Sequence, residues 1–464
     1  MTDSSIPSEW HQTNLCAVAQ WGSGGTPSRK NPEYYGGDVP WVKTGDLGPK
    51  VLSAASEYIT ELGVKKSSAK YFPKGSVAIA MYGATIGKTS ILGFDATTNQ
   101  ACAVGQPING ITNTTFLYYL LRNEKDAFIA KGKGGAQPNI SQTLIKNHPI
   151  ALPPLPEQKV IADKLDTLLA QVENTKARLE RIPKILKRFR QSVLAAAVSG
   201  RLTEEWRTRN ECQEFNPEAP SQSEFRGEEL TELPAGWAWL RFDQVAKIAS
   251  NLVDPNNYPD AIHIAPNHIE SGTGVVSGYQ SVKEDGVTSP KHRFFTGQIL
   301  YSKIRPYLCK VSVAGFEGLC SADMYPVVAF GSRSYLFRWM LSSQFTNWAS
   351  NAESRSVLPK INQKDLSKIP VPTPPEEEQT EIVRQLDQLF AHADYIEQQV
   401  NNALARVNNL TQSILAKAFR GELTEQWRKE NLELISGENS AEALLARIKA
   451  ERADTKPMKR ARKS

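Results

Sequence analysis

With 464 residues, 40% hydrophobic and 22% charged, the chain is long enough for two or three domains with proper cores and has the composition of an ordinary soluble protein. No run approaches the roughly 18 apolar residues of a membrane span, and the polar start from Met1 to Glu9 has no signal-peptide apolar region, so a cytoplasmic location without a membrane is expected. The net charge of +6 is too mild to argue for nucleic acid by itself. The cysteines Cys16, Cys102, Cys212, Cys309 and Cys320 lie far apart without metal-type spacing, which reads as reduced thiols and implies no disulfide or zinc framework.

Taken in order, residues 1–152 mix short β-type runs, such as Ser76 to Tyr82, with glycine-rich turns and a helical stretch near Thr115 to Asn123, an α+β pattern. Residues 153–207 read as a helical spacer and 208–230 as a linker. Residues 231–373 repeat the α+β mixture, with a strand at Gln298 to Ser302 and a helix near Tyr335 to Ser342. Residues 374–428 are a second long helical stretch, and 429–464 end in a basic tail.

The two helical stretches are copies. Adding 221 to any position from Glu157 to Arg207 gives its counterpart from Glu378 to Arg428 without a gap, and 18 of the 51 positions are identical. This period is far longer than the 20–50 residues of a solenoid module. The globular stretches match more loosely. Pro7 and Trp10 recur as Pro234 and Trp237, Gly75 as Gly297, the run Gly87 to Ser90 as Cys309 to Ser312, and Pro138 to Ile140 as Pro359 to Ile361. The ends of each globular stretch agree while the middles differ, so one scaffold carries two different surfaces.

In the first helix Ile161, Leu165, Leu168, Val172, Thr175, Leu179, Ile182, Leu186, Phe189 and Val193 are spaced alternately four and three apart. The second puts Ile382, Leu386, Leu389, Ala393, Ile396, Val400, Ala403, Val407, Leu410 and Ile414 at the same places. A 3.5-residue period sustained over more than four heptads predicts a coiled coil rather than a helix on a globular core. The simplest partner for each stripe is the other, in an antiparallel pair. Pro153-Pro154 and Pro374-Pro375, each followed by carboxylates, start the helices, and Pro183 predicts a kink or interruption near Ile182.

Charge is unevenly distributed. Lys176 to Arg190 holds seven basic residues against one acid, and Lys456 to Lys463 holds five and none, which suits phosphate attraction or a solvated helix face and a disordered end. The loops carry groups that DNA contact requires. In the first globular part these are Lys30, Tyr34, Tyr35, Lys43, Tyr82, Thr85, Lys88, Lys131, Lys133, Gln137 and Asn139; in the second, Asn267, His268, Lys303, Arg305, Tyr307, Lys310, Arg355 and Lys360. Arg and Lys read guanine and Asn or Gln read adenine in the major groove, while other polar groups hold phosphates; ordinary solvated loops are the alternative.

Motifs for chemistry fail. Gly83 to Thr89 resembles a phosphate-binding loop but has three residues between its glycines instead of four. Asn31 to Tyr34 has Glu33 where an amino-methyltransferase site has proline, and His263 and His268 lack a third ligand. Neither a catalytic residue nor a metal site is assigned.

The pattern of alternating globular and repeated helical parts, with the phrases Pro153 to Gln158 and Pro374 to Gln379, resembles the specificity subunits of type I restriction-modification systems over nearly the whole chain. Leu410 to Thr424, Trp427-Arg428 and Ile435 to Asn439 are similar to the type IA, K-like branch. The resemblance implies a non-catalytic subunit in which two target-recognition domains, 1–152 and 231–373, each read one half of a bipartite, asymmetric double-stranded DNA site. The helices would set the unspecified gap and dock two modification and two restriction subunits, and S-adenosylmethionine, ATP and Mg would sit on those partners. Readings from other classes are a self-sufficient methyltransferase or nuclease and a coiled-coil scaffold.

Overall fold

A computed structural model of the chain describes residues 6–132, 139–210, 217, 220–221, 224–225, 230–350 and 359–454. It forms two compact units that do not follow chain order: one joins residues 1–179 with 403–464, and the other is 180–402. Each unit therefore takes one globular part, the start of the helix that follows it, and the end of the other repeat's helix.

In the first unit, strands Ala19–Ser23, Cys102–Pro107, Val77–Ala80, Thr89–Leu92 and Val51–Leu52 form a five-stranded sheet in that order. Val77 and Ile79 face one core while Ala78 and Ala80 face a second, so this strand is apolar at every position. The first core is closed by helix Thr114–Asn123, whose N-terminus is capped by the Asn113 side chain accepting from Phe116 N at 2.9 Å. Phe116, Leu117 and Leu121 are fully buried there, each contributing about 1.5–3 kcal/mol. A four-stranded sheet, ordered Tyr58–Ile59, Tyr35–Val42, Ala96–Thr98 and Tyr71–Phe72, has Trp41-Val42 parallel to Thr97-Thr98. A short ladder, His11–Asn14 on Pro149–Leu152, ties the two ends of the globular part together.

The second unit repeats this plan. Ala238–Arg241 pairs with Pro370–Thr373, and Ala246–Ile248, Met324–Ala329, Ile299–Ser302 and Val311–Val313 form the matching sheet beside helix Arg333–Met340. The other sheet, ordered Leu252–Val253, Lys291–Phe294, Gly318–Cys320, Ile262–Ile264 and Gln280–Ser281, keeps one parallel pair and gains an edge strand.

The first helical repeat runs as Leu155–Leu179 and Ile182–Val198, interrupted at Glu180-Arg181, so Pro183 falls in a first turn where its missing N–H is tolerated. The second is a single helix, Glu376–Phe419. Both starts are fixed alike: Gln158 and Gln379 fold back, Nε2 donating to Pro153 O at 2.9 Å and Pro374 O at 2.8 Å. In the first unit Leu165 and Leu169 share a core with Leu415 and Ala418; in the second Leu194, Ala197 and Val198 share one with Ile382 and Leu386. Start meets end in both, so the pairing inside each unit is antiparallel. Ile161, Leu165, Leu186, Ile382, Leu386, Val400 and Val407 are buried, whereas Leu168, Val172, Leu179, Leu389 and Ile396 are half-buried. Thr175, Phe189 and Leu410 are exposed. Near the helix starts burial follows Ile161, Ala162, Leu165 and Leu169, a 3.6-residue stripe, because these turns also pack on the globular core. That corrects the expectation of a coiled-coil seam free of a globular core.

A buried carboxylate locks each junction. In the first unit Glu157 accepts from Trp10 Nε1 at 2.9 Å, Thr424 Oγ1 at 2.7 Å and the Arg428 guanidinium. In the second Glu378 accepts from Trp237 Nε1 at 2.8 Å, Thr203 Oγ1 at 2.6 Å and Arg207 Nη2 at 2.8 Å. One set is the other shifted by 221 at the helix residues, with head and tail exchanged between the repeats. Asp166 and Asp387, also identical, dock the globular parts. Asp166 accepts from Lys50 Nζ at 2.6 Å and the Tyr119 hydroxyl, and Asp387 from Arg338 Nη2 at 2.6 Å.

Candidate nucleic-acid interface

The loops following the two central strands present equivalent groups. In the first unit, Val77–Ala80 leads through Tyr82 into the turn Gly83–Thr85 and returns with Ala80 N donating to Lys88 O at 2.9 Å. Tyr82 bridges Asn139, and Ile140 N donates to Met81 O at 3.0 Å. Tyr82, 40% exposed, thus lies in one loop frame with Thr85, Lys88 and Asn139. In the second unit Ser302 N donates to Lys310 O at 3.0 Å, Ile304 bridges Lys360, and Ile361 N donates to Lys303 O at 2.8 Å. Lys303, Arg305, Tyr307 and Lys360 are gathered there, with Tyr307 55% exposed.

These residues differ in what they are free to do. Lys88 and Lys360 are exposed, and among the described residues their amines have no ion-pair partner. The Thr85 hydroxyl donates to Tyr82 O at 3.1 Å, and the Lys303 amine lies 5.3 Å from the Tyr325 ring centre. Lys310 is engaged inside the protein, its Nζ donating to Pro266 O at 2.6 Å and Ile269 O at 2.9 Å, so it braces the loop. Lys133, Gln137 and Arg355 lie outside the described residues.

Lys30, Tyr34 and Lys43 belong to another place, around the sheet containing Tyr35–Val42. Lys43 Nζ pairs with Glu57 at 3.0 Å, and the same carboxylate receives Arg29 Nη2 at 3.0 Å. The Arg29 guanidinium lies 4.1 Å from the Tyr35 ring centre. Hydrogen bonding from Arg29, helped by Lys43, holds the Glu57 carboxyl below the usual carboxylate range. Lys43 is thus partly neutralised, while Lys30 is exposed and Tyr34 half-buried. Sequence reasoning named neither Arg29 nor Glu57, since no local spacing joins residues 28 apart. In the second unit His268 Nδ1 accepts from Ala265 N at 3.1 Å, and burial lowers its pKa, so it is a turn-bracing neutral imidazole. Among the described residues no group of three or more His, Cys, Asp or Glu is arranged to hold a metal, and no helix is long and apolar enough to cross a membrane.

Comparison with known proteins decides what this duplicated frame is. A family model described as the type I restriction modification DNA specificity domain matches residues 7–184 and again 234–406. The chain belongs to this family. The specificity subunit of the Escherichia coli type I restriction enzyme EcoDI is 63% identical over 365 residues, covering 78% of this chain and 82% of that one. The EcoKI specificity subunit of E. coli strain K12 is 36% identical over 493 aligned positions, covering all of both chains. Among solved structures, the HsdS subunit of Thermoanaerobacter tengcongensis superposes with a TM-score of 0.58 at 19% identity, covering 91% of this chain and 99% of that one. A chain solved within a type I restriction-modification assembly gives 0.66 at 20%, covering 90% and 99%. These two likenesses concern the fold. As a type I specificity chain the protein serves DNA sequence recognition, and the two family matches each take in one globular part with the start of its helix.

Proposed function

We propose that this chain is the non-catalytic address-reading subunit of a cytoplasmic type I restriction-modification complex. Each globular part reads one half of a bipartite, asymmetric duplex site, and the paired helices set the gap and dock two modification and two restriction subunits. The chain itself holds no cofactor; S-adenosylmethionine belongs to the modification subunits, and ATP and Mg to the restriction subunits. The observation that carries this reading is the pair of loops Tyr82–Lys88 and Ile304–Lys310: the same hydrogen-bonded frame in both units, presenting different exposed side chains. A common frame with divergent loops is what two readers of different sequences require.

Within it, Lys88 and Lys360 are placed for phosphates, Tyr82, Thr85, Asn139, Lys303, Arg305 and Tyr307 for the grooves, and Lys30 and Tyr34 for flanking contacts. The test is selection of randomised duplexes by the full chain together with its modification subunit at physiological salt. Enrichment of two fixed half-sites around an unspecified gap is expected; equal retention of every sequence would overturn the reading.

A further inference from the structure

Two residues other than glycine have positive φ among the described residues, Arg305 at 48° and Cys309 at 47°, and both lie in the turn after strand Ile299–Ser302. The duplicate turn of the first unit has glycine at both matching places, Gly83 at 65° and Gly87 at 75°. The left-handed backbone is therefore a property of the turn itself, which glycine adopts freely and an L side chain does not.

Cys309 is compensated within the protein. Its Sγ donates to Leu341 O at 3.5 Å, and its side chain packs against the core of the unit. Arg305 is not. Its backbone N–H donates to Pro359 O at 2.7 Å, but its side chain is exposed, and among the described residues the guanidinium has no ion pair, hydrogen bond or aromatic ring against it. Pro306, which follows it, is buried and pins the turn. A β-carbon at Gly83 would meet nothing within 4 Å, so space does not dictate which unit carries a side chain here. Strain that packing leaves unrewarded points to a use outside the fold.

The side chain kept at this cost is a planar fork of donors, which matches the O6 and N7 acceptors of guanine in the major groove. Exposed Tyr307 and Lys360 flank it, one an aromatic surface and the other a phosphate partner. The geometry points to Arg305 as the residue by which the second unit selects a guanine at one position of its half-site. This assignment rests on the chain's being a reader of duplex DNA. The first unit, with Gly83 at the matching place, reads its own half by other groups.

The test compares wild type, Arg305→Gly and Arg305→Lys, each as the full chain with its modification subunit, in selection from randomised duplexes followed by sequencing. Glycine fits the left-handed turn, so Arg305→Gly folds and melts at or above the wild-type temperature. It is expected to lose preference for guanine at one position of one half-site by roughly ten- to hundred-fold, with every other position unchanged. Arg305→Lys keeps part of that preference. Unchanged base preference in Arg305→Gly, an affected position where wild type favours another base, or an equal loss of affinity for all sequences would overturn the assignment. If wild type selects a bipartite site that Arg305→Gly retains, only the role of Arg305 falls; if wild type selects nothing, the DNA reading falls with it.

Discussion

Glu378 is fully buried and is met by an indole N–H, a hydroxyl and a guanidinium, so its charge is tolerated only while those donors stay in place. Replacing it with alanine strands the Arg207 guanidinium and should cost about 3–5 kcal/mol in denaturant unfolding, and Glu157→Ala should cost less, because Glu9 also lies 3.7 Å from the Arg428 guanidinium. A loss below about 1 kcal/mol in either would contradict the locking role. Glu57 offers a pH test. Its carboxyl is held below the ordinary value of 4.5 by Arg29, so it contributes stability that is present above that value and is lost as pH falls through the folded value. Glu57→Gln should flatten the stability profile on the acid side of about pH 4.5, measured as the difference between wild-type and variant melting temperatures. The identities Glu157/Glu378, Asp166/Asp387 and Arg207/Arg428 are plain in the sequence. Their use is not, because the partners stand 171 and 271 residues apart and only the fold joins them. Arg305 is legible in sequence only as one basic loop residue among several, since the backbone angle that sets it apart is not written there.

At the scale of elements, the double prolines fix both helix starts and Pro183 marks the interruption at Glu180-Arg181. An interior proline costs about 3 kcal/mol, but Pro183 sits in a first turn, so Pro183→Ala should change stability by less than about 1 kcal/mol in the same unfolding measurement. The heptad stripe is legible as periodicity. The shift of burial to Leu169, Leu194 and Leu415 is not, because it depends on which turns also face a globular core. If the helices set the gap, inserting seven residues in both repeats, after Leu179 and after Asn402 where the two units divide, keeps the heptad phase. The added rise is about 10 Å, so the gap in the recognised site should lengthen by about three base pairs with both half-sites unchanged, read by duplex selection. A changed base preference would place recognition in the helices.

At the scale of the whole molecule, the internal repeat was visible as a constant offset of 221, and with it the α+β plus long-helix architecture. Chain order nevertheless misleads about compactness, since each unit is completed by the far end of the other repeat's helix. The loops were legible only as composition. Lys43 and Lys310 look the same in sequence as Lys88 and Lys360, and partners distant in sequence separate the braced from the free. The division into two readers is tested most directly by mapping N6-methyladenine across a host genome expressing the complex, first with this chain and then with residues 11–150 exchanged for those of another family member. One half of a split, asymmetric motif should change while the other half stays the same. Alteration of both halves, or a motif without a gap, would contradict the account.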